Sequence, residues 1–211
     1  MSALIANFPA FMATTFLLAV VPGQGVAMIL RQSILGGKSA ALFSVLGNSA
    51  GLFTWGCLSA IGLSAIFTTS KIAYETLKWS GVIFLVFLSL RTLFALKNEY
   101  GKFDLQSQGE SQPFKAFRLG LFTNLTNAKA AVFAVSFLPS FVPKTFPLGW
   151  GIFILGCLWP VVSITWYLIL IWTVDKSSVF IQQARVRRIL TAISAIGIMG
   201  LAIGLALSKT R

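Results

Sequence analysis

Four stretches of this chain, residues 1–30, 39–70, 145–174 and 189–208, hold no charged side chain. Each reaches the roughly 20 apolar residues that a helix needs to cross the ~30 Å hydrocarbon core of a bilayer. Inside hydrocarbon only helices and closed barrels satisfy every backbone N–H and C=O. Two further apolar runs, about 76–96 and 116–142, carry a few charges. The six runs predict spans near 6–28, 40–67, 76–96, 119–142, 148–173 and 189–207. The second and fifth runs exceed what a bilayer needs, so tilt or overhang is expected there. The composition agrees, with 56% hydrophobic residues and 10% charged, against about 25% charged in soluble domains. That excludes a disordered chain, a disulfide scaffold and a soluble two-domain enzyme. The expected fold class is an all-α integral membrane protein, one domain over 1–211.

Lys and Arg outnumber Asp and Glu by 17 to 5, a net charge of +12. Basic residues that grip nucleic acid cluster on a water-facing surface; here they sit in gaps between apolar runs, so the partner is membrane lipid and not nucleic acid. The gaps after helices one, three and five hold Arg31, Lys38, Arg91, Lys97, Lys102, Lys115, Arg118, Lys129, Lys176, Arg185, Arg187 and Arg188, twelve of the seventeen. Lys71, Lys78, Lys144, Lys209 and Arg211 fall on the other side. By the positive-inside rule both termini face away from the cytoplasm. The opening MSALIANFPAF lacks the positive n-region of a cleaved signal peptide, so the first run reads as a retained span. Cys57 and Cys157 both lie in apolar runs, where a structural disulfide has no obvious role.

The polar stretch KNEYGKFDLQSQGESQP, residues 97–113, reads as a flexible cytoplasmic linker between half-repeats at about 1–96 and 114–211. Halves of three helices each, if related, must sit inverted in the membrane. Laid over residues 114–133, residues 8–27 match at Phe8/Phe114, Ala10/Ala116, Phe11/Phe117, Phe16/Phe122 and Val26/Val132.

Polar groups in hydrocarbon are costly unless partnered, which makes them the first place to look for function. One cluster is Pro22-Gly23-Gln24-Gly25 in helix one. Proline removes a donor and glycine loosens the backbone, so either the helix breaks here and frees carbonyls and amides, or it simply ends. The other is Thr123-Asn124-Leu125-Thr126-Asn127-Ala128-Lys129 in helix four, at the corresponding point of the second half. Lys129 lies eleven residues past Arg118, about 16 Å along a helix, which is deep for a side chain that snorkels as Arg91 and Arg118 are expected to. It faces a cavity, or an unwound helix start returns it to the surface. Asn48, between Gly47 and Gly51, is an interhelical hydrogen bond or a cavity residue. Gly47/Gly51 and Gly200/Gly204 have the spacing of close-packing faces. Pro160 is expected to kink helix five, and Trp159 beside it lines a pathway or packs.

The chain has no histidine, and its acids, Glu75, Glu99, Asp104, Glu110 and Asp175, lie at span ends or in the linker. There is no nucleophile–base pair, carboxylate dyad, phosphate loop or metal cluster. Neither an enzyme nor a cofactor or metal site is expected.

With these motifs in place the chain resembles the lysine exporter/homoserine–threonine exporter superfamily (LysE/RhtB), six-helix bacterial exporters of amino acids and related metabolites. Pro22-Gly23-Gln24 stands where the family has Pro-Gly-Pro. Gly36-Gly37, Gly47, Gly51 and Gly62-Leu63 follow its glycine ladder, and Leu77-Lys78 through Gly81 to Arg91 resembles its third helix. The run from Gly120 through Asn124, Asn127 and Lys129 to Pro139-Ser140-Phe141 resembles its Asn-Pro-Lys segment and tail. Gln24 and Ala128 replace motif prolines, which predicts softer breaks. The resemblance implies a bacterial inner-membrane location, an inverted repeat with broken first and fourth helices, and proton-motive-force coupling, although no intramembrane carboxylate stands ready to carry the proton.

The expected function is alternating-access export of an amino acid or small derivative. A zwitterion needs both signs of partner close together: Lys129 and amides near Asn127 for the carboxylate, Asn124 for orientation, and carbonyls freed around Pro22, Gly23, Gln24 and Gly25 for the ammonium, with Asn48 nearby. A non-transporting scaffold or regulatory protein, or an exporter of another small solute, also fits the missing prolines and acids. A metal cation fits poorly, since its ligands are lacking. Oligomeric state is left open. Alkaline phosphatase fused after Arg211 is expected to be active in intact cells; an inactive fusion would reverse the orientation.

Overall fold

Every apolar run folds as helix in the computed structural model, which describes residues 2–21, 23–69, 71–97, 112–182 and 184–207; among them there is no strand. In chain order the helices are α1 (Ser2–Ala6), α2 (Phe8–Val20), α3 (Gln24–Arg31), α4 (Gly37–Thr69), α5 (Lys71–Lys97), α6 (Pro113–Leu125), α7 (Ala128–Val132), α8 (Leu148–Gln182) and α9 (Ala184–Leu207). A five-residue π-helical turn, Gln32–Gly36, joins α3 to α4, and another, Phe133–Phe137, follows α7 and leads into a short 3₁₀ turn, Leu138–Phe141. α2 and α6 each begin with a proline in the first turn, where the missing N–H has no intrahelical partner to lose. The linker expectation falls largely on 98–111, outside the described residues.

Among the described residues, three helical stretches are long and apolar enough to cross a membrane: Gln24–Gly62, Glu75–Phe94 and Leu148–Val174. The pair Pro113–Leu125 and Ala128–Phe141, bent by 53°, makes a fourth. The sequence expectation of six separate spans is met in part. Phe8–Val20 and Thr191–Leu207 are apolar but shorter, and the 13 residues of α2 extend only about 20 Å. The outer surface carries large apolar side chains, with Ile72, Leu207 and Ile61 at 79%, 78% and 75% exposure. In water such a surface would be an aggregation hazard; against lipid tails it is the matching solvent.

α4 is the central helix, packing along α6 on one side and α8 on the other, while α5 pairs with α9. The close crossings are made by glycines. A Cβ on Gly120 would lie 2.1 Å from Ser44 O, and one on Gly56 would lie 2.8 Å from the Gly156 Cα. Serines then bridge neighbouring helices: Ser44 Oγ donates to Ala116 O (3.0 Å), Ser59 Oγ to Ala134 O (2.6 Å) and Ser89 Oγ to Ala195 O (2.8 Å). Without a hydrophobic force between helices in lipid, small residues and such bonds hold the bundle. Gly47 and Gly51 are packing positions of this kind, against the Phe117 backbone and the Asn124 side chain. Gly200 and Gly204 are not: a Cβ there would meet nothing within 4 Å. Pro160 is accommodated inside the continuous helix α8, and the buried Trp159 packs on Phe133 at 4.8 Å between centroids. Cys57 and Cys157 are free thiols.

Gly120→Val is expected to lower the thermal midpoint of the detergent-purified protein or abolish folded yield, because no side chain fits between α4 and α6. Gly200→Ala should leave stability within ~0.5 kcal/mol or raise it slightly, as an open helix position does. A tolerated Gly120→Val would overturn this account of the crossing.

Candidate functional site

An α-helix pairs each C=O with the N–H four residues on, so the Leu18 carbonyl would need the N–H of residue 22. Residue 22 is proline and has none. α2 ends at Val20 with the Val21 N–H on Leu17 O (3.2 Å), and α3 starts at Gln24. The stranded carbonyls are taken from across the molecule: Lys129 Nζ donates to Leu18 O at 2.9 Å and to Val21 O at 3.3 Å. A helix C-terminus carries about half a negative charge, and an ammonium is the donor best suited to it. Gly23 is extended (φ −158°, ψ −168°) and a Cβ there would lie 3.6 Å from Lys129 Nζ.

The second break lies at Thr126–Asn127. Thr126 N–H donates to Phe122 O (3.0 Å) and Asn127 N–H to Asn124 O (2.9 Å), closing α6. Asn127 Oδ1 then accepts the Lys129 backbone N–H (3.1 Å), capping α7. This cap produces the 53° bend with Ala128 in the place of a proline, and the first break forms with Gln24 there. The softening expected from the two missing prolines is not seen as a lost break.

α2 and the segment after the Thr126–Asn127 break lie antiparallel. Asn7 Nδ2 at the start of α2 donates to Phe141 O (2.9 Å), the Phe11 and Phe141 rings meet edge-on at 5.5 Å, and the far end of α2 meets Lys129. α3 similarly packs on α6. A cavity of about 380 Å³ opens beside the first contact, lined by Val21, Gly23, Gln24, Thr126, Asn127, Ala128 and Lys129, with Phe84, Phe87, Leu88, Arg91 and Thr92 of α5 and Ile198 of α9. A second, also about 380 Å³, lies between α3 and α6 and shares Gln24 and Thr126 with it. Among the described residues the first holds the cations Lys129 and Arg91 and no acid, so it suits a carboxylate. Its size is at the small end of ligand sites.

Of the residues singled out from the sequence, Gly23, Gln24, Asn127 and Lys129 line this cavity. Asn48, Asn124 and Gly25 gather elsewhere. Asn124 Nδ2 donates to Asn48 Oδ1 (3.2 Å), both side chains are buried, and a Cβ on Gly25 would lie 2.8 Å from the Tyr167 hydroxyl and 3.4 Å from Asn48 Oδ1. Asn48 is thus the interhelical hydrogen bond of its two readings. Asn48 Nδ2 and Asn124 Oδ1 lack a well-formed hydrogen bond among the described residues. Pro22 lies outside the described residues. One expectation needs correction. Gln24 and Gly25 belong to α3 rather than to the break, and the Gly23 carbonyl accepts from Ala27 N–H (2.9 Å), so among the described residues the freed carbonyls are those of Leu18 and Val21. Arg91 lines the cavity as well as being exposed. Sequence reasoning passed over Tyr167 and Trp55, whose Nε1 donates to Asn124 O at 3.3 Å. The criterion that flagged Asn48, a polar atom inside an uncharged run, applies to both.

The family model for LysE-type translocators matches residues 16–209. The chain belongs to that family. Its members are transporters, and this LysE-family chain is a multi-pass membrane protein and not an enzyme. It is 24% identical over 206 residues to the uncharacterized membrane protein YrhP of Bacillus subtilis (strain 168), covering 94% of this chain and 98% of that one. It is 34% identical over 134 residues to the homoserine/homoserine lactone efflux protein of Salmonella typhi, a match spanning 63% of each chain. It is 27% identical over 165 residues to the leucine efflux protein of Salmonella choleraesuis (strain SC-B67), covering 75% and 74%. No solved structure matches it.

Asn48→Ala and Asn124→Ala should each cost about 1–3 kcal/mol by stranding the other amide. The double variant should cost less than their sum, with a coupling of about 0.5–3 kcal/mol read from denaturation midpoints. Additive losses would show that the bond does not matter.

Proposed function

We propose that this chain exports amino acids or small amino-acid derivatives across the bacterial plasma membrane by alternating access, driven by the proton motive force. The observation that carries the reading is a lysine ammonium, with no carboxylate partner among the described residues, lining a cavity whose described lining holds no acid, where two helix breaks meet. Lys129, supported by the cap at Asn127, takes the substrate carboxylate. Main-chain carbonyls at the end of α2 take the ammonium, and Gly23 leaves room for both. Gln24 lines the cavity as well, while Asn48 and Asn124, outside its lining, orient α6 against α4. The names of the homoserine and leucine efflux relatives support an amino-acid substrate.

The same reading takes α2 with α3, and α6 with the segment after it, as the broken first and fourth of six spans, in half-repeats at about 1–96 and 114–211. Supporting it is a repeated order of elements: a 13-residue helix, a break, a short helix, a five-residue π turn, then two long helices. The antiparallel lie of α2 on the segment after the second break, and the packing of α3 on α6, are what an inverted repeat produces. The basic gaps place both termini outside.

In proteoliposomes loaded with L-leucine or L-homoserine, Gly23→Leu and Lys129→Ala should each lower efflux at least tenfold while the protein remains monodisperse. Gly23 has a backbone conformation any residue adopts, so its leucine variant tests space alone. If both variants export like wild type, the site assignment is wrong.

A further inference from the structure

The carbonyls proposed to receive the substrate's ammonium already hold one. Lys129 Nζ, a primary ammonium with three donors, sits on Leu18 O and Val21 O at 2.9 and 3.3 Å. A substrate's α-ammonium has the same chemistry and would make the same bonds. Two ammonium groups on the same pair of oxygens would repel each other at close range, so the incoming one takes the place of Nζ.

Resting on the export reading above, we propose that Lys129 is an internal stand-in for the substrate's ammonium. The arriving amino acid puts its ammonium on the Leu18 and Val21 carbonyls, and the displaced Nζ pairs with the carboxylate of the same molecule. No covalent bond changes and no proton moves. With Lys129 and Arg91 both in its lining, the cavity carries a net two positive charges when empty and two when a zwitterion is bound. A simple amine would leave two ammonium groups side by side with no acid among the described lining residues to offset them, and Arg91 on the α5 wall adds a third positive charge. A simple carboxylate has nothing with which to displace Nζ. Selectivity for a molecule bearing both groups thus follows from one exchange of partners. The exchange also unties α2 from α7, since Lys129 is rooted at the capped start of α7, so occupancy is coupled to the contact between the two broken helices.

The test compares L-leucine and L-homoserine with their decarboxylated analogues, 3-methylbutylamine and 3-aminopropan-1-ol, by isothermal titration of the purified protein. Wild type should bind an amino acid at least tenfold more tightly than the matching amine. Lys129→Met removes the competitor and the carboxylate partner together, so amino-acid affinity should fall at least tenfold and amine affinity rise at least tenfold. Lys129→Gln keeps an N–H for the two carbonyls and hence the helix tether. It is neutral, and should shift the preference in the same direction even if the methionine variant does not fold. Amine binding to Lys129→Gln no tighter than to wild type overturns the proposal. Failure of wild type to bind or export either amino acid would instead overturn the export reading, while the amine comparison still decides the exchange.

Discussion

Pro22 cannot supply an N–H, and the carbonyl of Leu18, four residues earlier, is left without its helical partner inside an apolar bundle. Water is scarce there, so the deficit must be met by another part of the protein. Lys129 meets it, with Nζ on Leu18 O and Val21 O. The same bonds solve a second problem, since an ammonium far from any carboxylate also needs oxygen ligands and a field of the right sign, and a helix C-terminus provides both. Two unfavourable features, a proline in one helix and a lysine in another, become one favourable contact. The cavity, the lie of α2 on the segment that begins with α7, and the chemistry proposed for the site all stand on it.

Around that contact the bundle is held by close approach rather than by expulsion of water. Glycines on α4 admit the α6 and α8 backbones, and serine hydroxyls bond across to carbonyls of neighbouring helices. The buried pair Asn48 and Asn124 extends the scheme to amides, with one bond made and an orphaned group on each side. A polar pair satisfied by half specifies how α6 sits on α4, at some expense in stability.

Much of this was legible in the chain. The uncharged runs marked the helices, and Pro22-Gly23 and Asn124 through Lys129 marked the breaks to within a few residues. The errors have physical causes. Gln24 and Gly25 were read as unwound because glycine permits it, yet α3 forms as soon as Gly23 O has an N–H to accept. Ala128 was expected to soften the second break, but a side-chain cap from Asn127 replaces what a proline would do. Gly200 and Gly204 have the spacing of a packing face and no neighbour in this chain, because spacing shows that a close approach is allowed and not that a partner arrives.

By itself the sequence determined that the chain lives in lipid as helices, and where those helices must break. Both follow from covalent and local facts: runs without charge, a proline without an N–H, an asparagine two residues before a lysine. Only the tertiary structure decided who repairs the breaks. Lys129 and Leu18 are 111 residues apart, and Asn124 and Asn48 are 76 apart. A stranded carbonyl announces that it needs a donor but does not name one; the path of the chain through the bundle brings Lys129 to it.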